Sequence, residues 1–536
     1  MGFYLNSKRI PNLYKYETEK PYFVDKTRML AKLFLLVQTG SNAICLTRPR
    51  RFGKTVMANM IAAFFGRSRD TSELFDQLKI AEDPQYHQHL NQYDVIFISF
   101  HELPQNCQSY AQYIARIERK FRKDLQQAYP NYEISEEDAV WDVLSEISET
   151  EDAKFIFVLD EWDYIFHQKF ITEQDKEAYL GFLRNLLKDK PYVLLAYMTG
   201  ILPIAKYSSG SELNMFTEFT MAGSWEFSDD FGFTEAEVDV LYERYLQRCE
   251  NPMVSRDGLR EWYDGYHTAS GERVYNPRSV VQALSFNHLG SYWTSSGPYD
   301  EISYYVEKNV ADVREDLALM VSGIPVMAKI QEYAATSTTL ETKDEIFSAM
   351  VVYGFLSCEN GLVSIPNKEL MGQFGNMMQK EQSLGYVYQL AKNSEKMLKA
   401  TLSGDVDTMA EILEFAHNTE VPLFHYNSEV ELTAVVNLVY LAARDFYRIE
   451  REDKAGKGYV DFIFYPEVDK SADCIILELK VEHTPEEAIA QIREKQYALR
   501  FAPKMGEKKK YTGRILAVGI AYDRKSKRHS CLVEVL

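Results

Sequence analysis

At 536 residues the chain is too long for one ordinary hydrophobic core, and roughly two to four domains are expected. A formal net charge of −19 argues against nonspecific coating of nucleic acid, because affinity for phosphates comes from Lys and Arg; only Arg48–Lys54 and Lys504–Arg528 are locally basic. No apolar run approaches the roughly 20 residues that span a bilayer, the opening residues lack a signal-peptide core, and Asn6 breaks the myristoylation motif that Met1-Gly2 would begin.

In chain order, a short lead precedes an amphipathic helix over Arg28–Gln38 and a buried strand over Asn42–Thr47. A helix over Thr55–Phe65, a strand over Val95–Phe100 and a charged helix over Tyr110–Tyr129 follow. Next come a strand over Lys154–Leu159, a helix over Lys176–Lys188 and a strand over Tyr192–Met198. Alternating strands and helices of this kind predict a mostly parallel α/β sheet over residues 1–225. Thr234–Arg248 and Val280–Phe286 read as helices of a lid-type region, 226–300. Residues 301–420 carry helical patterns with little strand signal and read as a connecting module. The α/β pattern returns in 421–536: helix 428–444, strands 459–465 and 474–480, helix 485–499 and strand 514–521. The six cysteines are scattered and form no CxxC pair, which predicts reduced thiols and a cytoplasmic protein without a zinc ribbon.

The run Arg48-Pro-Arg50-Arg51-Phe-Gly53-Lys54-Thr55 follows a strand and opens a helix, the context a P-loop requires. Backbone amides of the turn would face phosphate oxygens, with Arg50, Arg51 and Gly53 in the turn. Lys54 would reach the β- and γ-phosphates of ATP, and Thr55 would hold Mg2+. The full pattern wants Gly where Arg48 stands. The strand Phe155–Leu159 ends in Asp160-Glu161, a Walker B arrangement: Asp160 for magnesium, Glu161 to polarise the attacking water. Two acids at a strand end could equally cap a helix. Thr199, ending the next strand, is placed to sense a γ-phosphate or merely to end the strand. Tyr22 and Phe23 are candidates for the adenine pocket or the core.

These segments, with YFVDKT, TRPRRFGKT, VLDEWD, TGILPIAK, FGFTEAEV, WYDGYH and VYNPRSV quoted as they stand, resemble the bacterial AAA-ATPase-like family. The resemblance implies that the altered first glycine is a family trait, and it implies ATP binding with hydrolysis expected. Arg278 in VYNPRSV is a candidate arginine finger across a homo-oligomer, or a structural ion-pair residue.

In the last region, Asp461 lies in YVDFIFY, and Glu478 and Lys480 lie in CIILELK. Residues two apart on a strand share a face, so Glu478 and Lys480 project together, and an adjacent strand can bring Asp461 beside them. Asp461 and Glu478 would bind Mg2+ and Lys480 would position water or steady an oxyanion, a set suited to phosphodiester hydrolysis. A structural Glu478–Lys480 ion pair would also account for the pattern. Glu429 would turn inward near a helix start or serve only the helix dipole; Gln491 would reach the site or lie on the surface. YNSEVELTAVVNLVYLAA, REDKAGKGYVDFIFYP, CIILELK and AIAQIREKQY together resemble the PD-(D/E)XK nuclease superfamily, with Val460 where its motif has Pro. That resemblance implies a restriction-endonuclease-like α/β fold, Asp461, Glu478 and Lys480 as the core, and Glu429 and Gln491 in support. The expected function is an ATP-binding protein with a Mg-dependent nuclease-like domain acting on nucleic acid, DNA foremost, in defence or mobile-element biology. The competing reading is a nucleotide-switched module that binds nucleic acid or protein without cutting.

Overall fold

The computed structural model describes residues 2–39, 42–104, 106–204, 213–221, 223–293, 299–307, 310–331, 340–417, 429–455, 458–467, 469–501 and 510–536. The chain divides into two compact units: Met1–Ser296 with Ala328–Glu369, and Gly297–Met327 with Leu370–Leu536.

The first unit is built on five strands: β1 (Ala43–Thr47), β2 (Asp94–Ser99), β3 (Phe155–Asp160), β4 (Val193–Gly200) and β5 (Thr217–Phe219). Their order is β2-β3-β4-β1-β5 and every pairing is parallel. Strands β1, β2 and β3 are buried at every position. A parallel sheet covered on both sides demands this, because both faces meet helices. Strand alternation sorts the side chains. Cys45, Ile96, Ile98, Phe157 and Leu159 face one core with Tyr113, Ile117 and Phe121 of the helix Tyr110–Ala128. Ile44, Leu46, Phe97, Ile156 and Val158 face the other with Leu33, Phe34, Met57 and Ile61 from helices Met29–Thr39 and Lys54–Phe65. A smaller core, Tyr22, Val238, Leu241, Leu259, Val280 and Leu284, holds the helices Glu235–Arg248, Arg256–Tyr263 and Pro277–Phe286 together. Tyr22 thus packs among these helices.

Element edges moved where caps decide them. The expected helix Lys176–Lys188 begins at Glu173, because Thr172 and Asp175 form a reciprocal capping box.

The second unit begins with helical segments and ends in a five-stranded mixed sheet: β6 (Tyr447–Ala455), β7 (Gly458–Pro466), β8 (Cys474–Val481), β9 (Ile515–Asp523) and β10 (Arg528–Val535), in that order. β8 and β9 run parallel, and the other neighbours are antiparallel. The parallel crossover is the helix Pro485–Glu494, shorter than expected, followed by a 3-10 turn over Tyr497–Phe501. The helix Glu429–Val439 precedes the sheet. Strands β6 and β10 are additions to the sequence reading. Among the described residues the middle is mainly helical, with three short strands, Val326–Met327 in the second unit and Ser357–Glu359 and Leu362–Ser364 in the first. No helix among the described residues is long and apolar enough to cross a membrane.

Candidate functional sites: a phosphate loop and a buried carboxylate pair

The turn between β1 and the helix Lys54–Phe65 is shaped by two left-handed residues, Arg51 (φ 71°) and the N-cap Gly53 (φ 89°). Glycine takes that conformation without steric cost. Beyond the turn the first helical amides lack intrahelical acceptors and suit an anion.

Arg48, where the pattern wants Gly, points away from this turn. Its guanidinium is buried, donating to the carbonyls of Thr47 (2.8 Å), Phe219 (2.8 Å) and Phe227 (2.9 Å) and lying 4.9 Å from the Phe231 ring centre. It therefore ties β1 to β5 and to the segment after it. Arg50 is half-buried and Arg51 exposed. Partial desolvation in the crowded turn, then the charges of Arg278 and Arg50, hold Arg51 below its usual pKa. Arg278, at the second position of the helix Pro277–Phe286, is exposed and forms no ion pair among the described residues.

Lys54 is 8% exposed, and its Nζ donates to the carbonyls of Arg48 and Pro49, both at 2.9 Å. Burial lowers it to a pKa of about 8, opposed by Asp163, Asp160 and Glu161. Asp160, at the end of β3, is fully buried, and neither carboxylate oxygen meets a partner at hydrogen-bond geometry. Burial and then Glu161 push it up to about 6, while the nearby Thr55 hydroxyl and Lys54 pull it down. Two orphaned oxygens beside a threonine hydroxyl and a lysine are a hard-oxygen donor set that suits Mg2+. Glu161 (φ 54°) is half-exposed and 3.6 Å from His101 Nδ1. Thr199 is fully buried and donates to the Leu46 carbonyl at 2.9 Å, stitching β4 to β1.

Two residues near this site escaped the sequence reading. Asp163 accepts from the amides of Ile201 (2.9 Å) and Leu202 (2.8 Å), so the loop after β4 is anchored to the loop after β3. His101, just past β2, contacts Ser99 Oγ at 2.6 Å as well as Glu161. The signal for Asp163 was its place in VLDEWD; a lone histidine after a strand carries none.

In the second unit, Asp461 sits on β7 and Glu478 on β8. The ladder between these strands reaches Phe462–Leu477, so the next opposed positions are Asp461 and Glu478, on one face. Asp461 Oδ2 accepts from the amide of Leu479 at 2.7 Å. Glu478 is 3% exposed; its Oε1 accepts from Lys480 Nζ at 3.2 Å and from Gln491 Nε2, and its Oε2 is buried without a partner. Burial and then Asp461 push Glu478 up to about 7, against the pull of Lys480. The structure thus assembles Asp461, Glu478, Lys480 and Gln491. Glu429 opens the helix Glu429–Val439, and its side chain lies outside the described residues.

Gly519 is a further contributor. It pairs with Glu478 across β8 and β9, and a Cβ there would stand 2.4 Å from the carbonyl oxygen of Pro485. The absent side chain lets the helix Pro485–Glu494 close on the sheet, which brings Gln491 to Glu478. A lone Gly inside the apolar strand ILAVGIAYD is the only sequence signal of that close approach.

Residues 10–209 match the family described as predicted AAA-ATPase, and residues 432–529 match the PD-(D/E)XK nuclease superfamily. Both matches fall in one chain. An uncharacterised protein in the vnfD 5′ region of Azotobacter chroococcum mcd 1 is 25% identical over 286 residues, 52% of this chain and 52% of its own length. The match therefore spans about half of that relative. Among solved structures, the Walker-type ATPase of Pyrococcus abyssi is 12% identical with a TM-score of 0.37, covering 65% of this chain and 94% of that one. The ORC2 protein of Aeropyrum pernix, in ADPNP–ADP complexes, is 10% identical with a TM-score of 0.32, covering 67% of this chain and 94% of its own. The AAA-ATPase-like segment ends within the first unit and the nuclease-superfamily segment lies wholly within the second.

Proposed function

We propose that this chain is an ATP-regulated, magnesium-dependent nuclease of the cytoplasm, with DNA the foremost substrate and defence or mobile-element control the setting. The observation that carries the proposal is Glu478. A carboxylate buried on an apolar strand, beside Asp461 and with one oxygen unpartnered, is costly unless a cation completes it.

Asp461 and Glu478 would hold the metal, which would stabilise charge on the scissile phosphate and lower the pKa of the attacking water. Gln491, donating to Oε1, turns the Glu478 carboxylate so that Oε2 is the oxygen left available. Lys480 keeps its ammonium at the same site, where it can steady negative charge growing on the phosphate. Glu429 is assigned a supporting role from its place at the helix start.

In the first unit, ATP would lie against the amides after Gly53, with its magnesium ion held by Thr55 and Asp160. Lys54 would exchange the Arg48 and Pro49 carbonyls for phosphate oxygens. Arg50 and Arg51 add positive charge to the turn. Glu161 would orient the attacking water and Thr199 would hold the end of β4 beside it; ATP occupancy would act as the switch on cleavage.

The test is cleavage of labelled single- and double-stranded DNA and RNA, with Mg2+ or Mn2+ and with or without ATP. Cleavage is expected to need metal, to vanish in K480A and D461A, and to lose its response to ATP in K54A. Persistent cleavage in D461A removes the catalytic assignment. The second reading, a nucleotide-switched binding module, is favoured by the direct Lys480–Glu478 contact, which gives the Oε1 oxygen of Glu478 a cationic partner without any metal. Salt-sensitive binding without cleavage under every condition would select it.

A further inference from the structure

The end of the C-terminal sheet that carries Lys480 also carries a cationic turn. Lys480 pairs with Ala521, and Ala521 with Ser530; two residues further on, Asp523 pairs with Arg528. At about 3.3 Å per residue, Arg528 therefore stands about 7 Å beyond the level of Lys480, and the β9–β10 turn extends past it.

The turn is held in shape from within. Asp523 Oδ1 accepts from the Ser526 amide at 2.6 Å and from the Ser526 hydroxyl at 2.7 Å, and Lys527 takes a left-handed φ of 57°. Arg524 is drawn back to Glu482, its amide at 2.8 Å and its guanidinium at 3.8 Å. Lys525, Lys527 and Arg528 are exposed and form no ion pair among the described residues, although Lys525 lies near enough to Asp523 to favour its charged form. Three outward cations on a preshaped turn, in a chain of net charge −19, are a local reversal of sign at the end of the sheet where a phosphodiester would be cut.

We propose that the β9–β10 turn, through Lys525, Lys527 and Arg528, grips the phosphodiester backbone of a nucleic acid running past the Glu478–Lys480 site. This rests on the reading of that site as one for nucleic acid and names the element that would hold the strand. The contacts are to phosphates, so the grip is independent of base sequence. With one charge per 3.4 Å along each strand of a duplex, the turn reaches phosphates roughly two to four steps from the one at Lys480.

The test uses the full chain and fluorescence anisotropy of a short labelled DNA duplex, and of an RNA duplex of the same sequence, in EDTA so that no cutting intervenes. Neutral (K525S/K527S/R528S) and charge-retaining (K525R/K527R/R528K) variants are compared over a salt series. The neutral variant is expected to bind about tenfold more weakly at low salt and to lower the slope of log affinity against log salt by roughly 2 to 3, since each phosphate contact contributes about 0.9. The charge-retaining variant is expected to restore both. An unchanged slope in the neutral variant overturns the proposal, as does a loss that the charge-retaining variant fails to restore, or a wild type that binds neither duplex. Cleavage with Mg2+, scored separately in wild type and K480A, tells the two readings apart. Lys480-dependent cutting with normal binding by the neutral variant removes the turn and keeps the nuclease. Charge-dependent binding with no cutting keeps the turn and removes the nuclease. The DNA and RNA arms show which backbone is preferred.

Discussion

Arg48, where the phosphate-loop pattern wants Gly, has a structural role of its own. Its guanidinium satisfies three carbonyls away from the phosphate turn. Restoring the pattern with R48G should therefore weaken the protein, by on the order of 3 kcal/mol, because buried carbonyls lose a charged donor. A drop in the urea midpoint of the first unit's transition checks this; an unchanged midpoint would contradict the structural role. Glu369 provides a pH test at the same scale. It accepts from Ser279 Oγ (2.7 Å) and from the amides of Tyr292 (2.5 Å) and Trp293 (2.6 Å), yet burial still holds its pKa above the ordinary 4.5. Above 4.5 the folded chain then keeps a proton that the unfolded chain has released, so this group's contribution to stability falls as pH rises through its folded pKa. Wild type should lose ground to E369Q as pH rises above 4.5, measured as the difference in urea midpoints. A difference that is flat or grows with pH would overturn the assignment.

At the scale of elements, the sequence patterns found the central strands and missed both edges of the C-terminal sheet. β6 reads YRIEREDKA and β10 reads RHSCLVEV. Edge strands carry charge that blunts pairing with other chains, so the apolar signal that marks a buried strand is diluted there. Helix starts went astray where a capping side chain, and no apolar residue, sets the first turn, as at Thr172. Gly519 is the element-scale device of the site, since it sets how closely the helix Pro485–Glu494 approaches β9. G519A should push that helix outward and cost about 1 to 3 kcal/mol by overpacking. If nuclease activity is present, it should fall further than in an exposed-surface control, because Gln491 leaves Glu478. Unchanged denaturation and activity in G519A would show that the contact gives way freely.

At the scale of the whole molecule, the chain passes from one unit to the other at residues 296–297, 327–328 and 369–370. The candidate nucleotide residues all fall in the first unit, and Asp461, Glu478, Lys480 and Gln491 all fall in the second. Ligand linkage should therefore be selective. ATP with Mg2+ at a hundredfold excess over its Kd should stabilise the first unit by about 2.7 kcal/mol, seen in scanning calorimetry as one transition moving up. K54A should abolish that shift while leaving the transition of the second unit in place. A shift that survives in K54A would place the nucleotide elsewhere.

The sequence by itself marked the candidate residues and their local settings. A strand, a glycine and a lysine mark a candidate phosphate loop through backbone geometry that is local, and an apolar strand interrupted by Glu478 and Lys480 marks a candidate site because buried charge is expensive. Period-two alternation then dictated that Glu478 and Lys480 share a face. What lay beyond it was every relation across chain distance. The pairing of β7 with β8 that opposes Asp461 to Glu478, the reach of Asp163 to the loop after β4, the engagement of the Thr199 hydroxyl by β1, and the return of Ala328–Glu369 to the first unit were decided only by tertiary structure. Such contacts depend on register and on which surfaces exclude water together, and a residue's immediate neighbours in sequence carry neither.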